Sequence, residues 1–161
     1  MPPDGLSGGA GMARILNKIA AAAAGKPEVR VGFLENSTYP DGTQTATIAA
    51  LNEFGSGNTP PRPFFRSMIA EKKGEWGPAL GVLLAKNNYD ILKSLRMSGE
   101  GIAGQLVASI DAFTDPALAP STIAKKSRGG VGNLHGVAGP SKPLIDTGHM
   151  RNSVSVETSN E

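Results

Sequence analysis

Cysteine is missing from all 161 residues, so neither a disulfide framework nor a thiolate metal site is available. Packing and hydrogen bonds must hold the fold. Aromatic residues are scarce at 5%, which leaves few of the large side chains that dominate cores. No apolar run reaches the roughly eighteen residues that spanning a bilayer requires, and IAAAAAG is too short and too weakly hydrophobic for a signal h-region. An excess of one charge is lacking too: 16 basic residues against 14 acidic is too even a mixture for a dedicated polyanion binder. What is plentiful is backbone punctuation, 21 glycines and 12 prolines, which points to long irregular stretches between ordered elements. A chain of this length makes one domain, able to bury roughly two thirds of its unfolded surface.

MPPDGLSGGAG has almost nothing to bury, so residues 1–11 are expected to form a flexible arm, followed by a single domain over 12–161. MARILNKIAAAAAG places Ile15, Leu16 and Ile19 on one helical stripe that stops near Gly25. EVRVGFL alternates as a half-buried strand does, with Val29, Val31 and Phe33 on one face, and YPDG at 39–42 is a β-turn. TATIAALNEFG returns to helical spacing through Ile48, Leu51 and Phe54, with Gly55 as a left-handed cap. Beyond it, apolar residues keep helical spacing from Met68 to Ile110, loosened by SGEGIAG into one broken helix or two successive ones. DPALAPSTIAKKS holds a short helical turn that Ser121 would cap. The glycine-rich stretch within 127–142 is expected to be a mobile loop, and Val154 and Val156 alternate as a closing strand. The expected class is α+β: a small mixed or antiparallel sheet packed on a long helix, whole or broken, with extended loops.

Chemistry-bearing patterns are few. GEGIAG, residues 99–104, has the G-x-G-x-x-G spacing, but a dinucleotide site needs a buried strand before it, and KSLRMS is charged and helix-like. A helix break is the better reading. Asp146 and His149, with Ser141 or Ser153 nearby, invite a hydrolase, yet no nucleophile elbow positions a serine. The plainer alternative has Asp146 bonding the turn amides and His149 on a solvated surface. His135 and His149 make no metal-ligand pattern, so no catalytic, metal or cofactor residue is assigned. Lys125, Lys126 and Arg128 are the densest basic run, a solvated loop entrance that could also give a salt-sensitive hold on nucleic acid or an acidic protein face. No aromatic is interleaved to stack on bases. An intracellular DNA-binding module using 125–128 is the rival reading.

PPRPFFR, residues 60–66, is the most pointed segment. Pro60, Pro61 and Pro63 fix φ and remove donors, so the piece is extended, and stiffened backbone loses less entropy on docking. In extended chain Phe64 and Phe65 face different ways, so one could anchor the long helix while the other enters a neighbour, Arg62 and Arg66 bonding carboxylates around it. The alternative packs both rings within one subunit.

VRVGFLEN, YPDG, IAALNEFGSGNTPPRPFFRSMI, LAPSTIAKK and KPLIDTGHMRNSV, in this order over about residues 28–156, resemble the small tail-completion and virion-morphogenesis proteins of long-tailed bacteriophages and prophages. The resemblance implies a non-enzymatic α+β subunit that assembles with itself into a ring, sixfold as tails are, and joins head to tail at the neck. It implies as partners a tail terminator or tail tube protein and head-side connector proteins, with no membrane, no cofactor and nucleic acid at most incidental. The location implied is the virion neck or tail end, and the host cytoplasm during assembly. Interface residues on this reading are the PPRPFFR block and the DTG turn, Asp146, Thr147 and Gly148, with Arg151.

Overall fold

A computed structural model describes residues 9–128 and 139–159. The elements are α1 (Gly9–Ala24), β1 (Glu28–Phe33), α2 (Thr45–Phe54), α3 (Phe64–Lys86), α4 (Ile91–Ala112), α5 (Pro120–Arg128), α6 (His149–Asn152) and β2 (Val154–Ser159). β1 and β2 pair antiparallel with Val31 opposite Val156, so the last strand returns to the first. The class is α+β, with a two-stranded antiparallel sheet lying on the long helix α4.

Two strands alone are marginal in water and need a partner for their apolar face. That partner is α4, and the point of closest approach is Gly99. A Cβ there would lie 2.5 Å from a Val29 methyl and 2.6 Å from a Val156 methyl. SGEGIAG is therefore not a break, as its composition suggests, but the interior of α4. The interruption falls instead at Asn87–Asp90, where Asn88 and Tyr89 take φ of 51° and 57° and the Asp90 carboxylate caps α4 by accepting from the Lys93 amide at 3.1 Å. Glycine costs a helix about 1 kcal/mol, and packing against the sheet outweighs it.

The core joins Phe64 and Met68 of α3, Leu106 and Ile110 of α4, Ala49 of α2, Leu144, Ile145, and Met150 of α6. Trp76 on α3 donates to Gln105 on α4 at 2.8 Å, and the Ser109 hydroxyl donates to the Phe64 carbonyl at 2.7 Å. α1 contributes no buried residue: Met12 and Leu16 are exposed, and its Lys18 reaches the Asn88 carbonyl at 3.0 Å. Helix begins at Gly9, inside the expected arm; residues 1–8 lie outside the described residues.

Three local expectations change. Gly55 ends α2 at φ 80°, ψ 164°, which is not the left-handed cap geometry. The chain must turn straight into the proline segment there, and a Cβ would stand 2.8 Å from the Thr59 carbonyl oxygen. α5 starts at Pro120, whose missing N–H is no loss in a first turn, so Ser121 lies inside the helix instead of capping it. The expected mobile loop loses its ends: Ser127 and Arg128 close α5, and the Lys142 amide bonds the Gly139 carbonyl at 3.1 Å. Its middle, 129–138, lies outside the described residues.

Gly99→Val should lower stability by about 1–3 kcal/mol through overpacking, whereas Gly101→Ala, where nothing lies within 4 Å, should raise it by up to about 1 kcal/mol. Thermal unfolding of the two variants checks both signs.

Candidate functional site

The expected interface residues divide between two places. The first is the corner where α2 meets the start of α3. A helix leaves its first amides without intrahelical acceptors, and here each has one. The Phe64 amide bonds the Arg62 carbonyl at 2.8 Å; those of Phe65 and Arg66 both donate to the Glu53 carboxylate, at 2.9 and 3.2 Å. Glu53 is buried at 6% exposure, yet its charge is held by two amides at a positive helix end and by the Arg66 guanidinium at 3.2 Å. Arg66 thus bonds a carboxylate, as expected, but one of its own chain, and it lies over the Phe54 ring at 5.2 Å.

Phe64 and Phe65 are the first turn of α3, not extended chain. Phe64 is core at 1% exposure, and Phe65 stacks beside it with ring centroids 6.4 Å apart, against Gly32 of β1. Both rings pack within the subunit, because the helix begins at Phe64, directly after Pro63, and takes in residues expected to be extended. Arg62 is buried too; its amide bonds the Asn52 carbonyl at 2.7 Å, and burial pushes its guanidinium below the ordinary arginine range. Pro60 and Pro61 are exposed, Pro63 half-buried.

The side chains left outward belong to the apolar spacing that marks α2 as a helix. α2 buries Thr45, Ala49 and Glu53, while Leu51 and Phe54 of its apolar stripe are 44% and 65% exposed. Phe54 and exposed Ile69 of α3 border a groove of about 390 Å³ that reaches Val31 and Phe33 of β1.

The second place is a cleft of about 440 Å³ that brings Lys125 and Lys126 of α5 together with Asp146, Thr147 and Gly148 of the DTG turn. Gly148 takes φ 77° to start α6. Thr147, not Asp146, satisfies the turn: its hydroxyl accepts from the His149 amide at 3.3 Å. Lys126 is no free polyanion contact, since its ammonium donates to the carbonyls of Lys142, at 2.8 Å, and Ile145. Burial lowers its pKa, opposed by the Asp146 charge. Lys125 and Arg128 are exposed. Arg151 is likewise occupied, gripping Asp111 of α4 in a fork at 2.6 and 2.9 Å that holds its pKa up.

His149 is not on a solvated surface. Its ring lies 4.3 Å from that of Tyr39, and its Nε2 is buried with no hydrogen-bond partner among the described residues. The Ser153 hydroxyl donates to the His149 carbonyl at 2.7 Å, so it does not serve the ring. No triad forms among the described residues, nor does any cluster of His, Asp and Glu that could hold a metal. No helix is long and apolar enough to cross a membrane among the described residues. Sequence reasoning missed Tyr39 as a wall of this cleft and Glu53 as the cap of α3, because neither role leaves a local spacing.

Set against known protein families, characterised proteins and solved structures, the chain shows no significant match.

Glu53→Ala should cost about 1–3 kcal/mol in denaturant unfolding, since it leaves two amides without an acceptor. Burial, reinforced by Asp146, raises the Tyr39 pKa. With the native value above the unfolded one, the stability this gives is full below the ordinary tyrosine range and is lost as pH climbs through the native value. Ultraviolet titration should show one late-ionising phenol, absent in Tyr39→Phe.

Proposed function

We propose that this chain is a structural, non-enzymatic virion subunit of a long-tailed phage, a ring-forming neck or tail-completion component that joins tail to head. The observation that carries the reading is the ordered run of blocks from VRVGFLEN to KPLIDTGHMRNSV. The outward stripe of α2 supports it: an amphipathic helix that turns Leu51 and Phe54 to solvent, with Ile69 across a groove from Phe54, leaves apolar surface that a neighbouring copy can cover. On this reading the contact shifts from Phe64, which fills its own core, to Leu51, Phe54 and Ile69, with Pro60 and Pro61 at the rim. Ring closure requires this patch to meet a different one on the next copy. A sixfold ring, a tail terminator or tail tube protein on one side and connector proteins on the other, and assembly in the host cytoplasm complete the proposal.

Leu51→Ser with Phe54→Ser should leave the melting temperature nearly unchanged, as exposed substitutions do, yet abolish rings in native mass spectrometry and leave heads and tails unjoined. Normal rings and normal infectivity of that variant would remove the proposed surface. Phe64→Ala, in contrast, should lose about 3–5 kcal/mol of the subunit's own stability.

A further inference from the structure

We propose that the cleft between α5, the Tyr39 turn and the DTG turn is a binding site for a small monocarboxylate carried on an apolar body. Three independent features converge there. The first is charge. Lys126 on the cleft wall forms no salt bridge among the described residues, and neither does the buried Arg62, which is not part of the lining and whose Nε has no hydrogen-bond partner there either. Burial lowers the pKa of both, and at Lys126 the opposing Asp146 charge and the nearby Arg62 charge do not reverse that direction. Charges taken from water without a counterion are costly, and the lysine-lined wall of the cleft, Lys125 beside Lys126, is where a counterion fits. The wall holds one carboxylate, Asp146, which is exposed.

The second is shape. About 440 Å³ lies within the range of small-molecule sites, which combine an apolar wall with a few placed polar groups. Ile48, Leu118, Leu144 and Met150 supply the apolar part; Tyr39, Thr122, Thr147 and His149 supply the polar part. The third is the unsatisfied His149 Nε2, a buried nitrogen on this wall with hydrogen-bonding capacity to spare.

The ligand's charge follows from the acceptors already present. Asp146 and the two carbonyls that hold Lys126 repel a second negative charge, so a carboxylate suits the site better than a phosphate dianion. A planar carboxylate can take the Lys125 ammonium on one oxygen and a hydroxyl or ring N–H on the other, while its hydrocarbon body covers Ile48 and Leu118. The site stands whether or not the chain joins heads to tails.

Titrating the purified full chain with 4-phenylbutyrate, with 4-phenylbutyramide and inorganic phosphate as comparators, tests it by calorimetry and by the NMR ring signals of Tyr39 and His149. The acid should bind saturably and move both rings, and the neutral amide and phosphate should bind at least about tenfold more weakly, the value of one charge-assisted hydrogen bond. Lys125→Gln, at an exposed side chain, should weaken the acid by about tenfold with the ligand-free melting temperature unchanged. Absence of saturable binding, an amide or phosphate as tight as the acid, or full affinity in Lys125→Gln would each overturn the assignment.

Discussion

The close approach of a two-stranded sheet to one helix underlies the whole architecture. β1 comes near the start of the described chain and β2 at its end, so their pairing closes nearly the full sequence into a loop. Such a ribbon has too little surface to stand alone, and α4 is its floor. Only a residue without a side chain lets Val29 and Val156 settle onto that helix, which is why Gly99 sits in a helix interior that glycine otherwise weakens. The same helix holds α3 through Trp76–Gln105 and α6 through the Asp111–Arg151 fork, so each layer is referred to one element.

A second constraint sets the surface. Proline cannot cap a helix with a side chain, so α3 takes its cap from Glu53 on the preceding helix. Placing that carboxylate at the α3 terminus turns the Glu53 face of α2 inward. Leu51 lies two residues from Glu53 and Phe54 one, which on a helix means different directions, so the apolar stripe is rotated outward. An exposed hydrophobic face is thus the geometric consequence of a buried polar contact. On the neck reading, that face is what a neighbouring copy covers.

The cleft follows a related logic. Lys126 ties α5 to the segment before α6, and Lys142 Nζ donates to the Asp111 carbonyl near the end of α4 at 2.8 Å, a favourable place for a cation. Backbone carbonyls, not carboxylates, satisfy both lysines. Hydrogen bonds are met while charge is left over, and that surplus beside apolar walls gives the cleft its selectivity for an anion.

Alternating valines, helical spacing and the YPDG turn were legible in the residues themselves: β1, the turn, α2, the long helical region and β2 lie where local periodicity puts them, because each pattern acts over a few neighbours. The start of α3 at Phe64, the continuity of α4 through three glycines, the burial of Arg62 and Glu53 and the exposure of Leu51 and Phe54 were decided by tertiary structure alone. In each case a partner distant in sequence, Glu53 for Phe65 or Val156 for Gly99, supplies the hydrogen bond or the packing that overrides a local preference of about 1 kcal/mol.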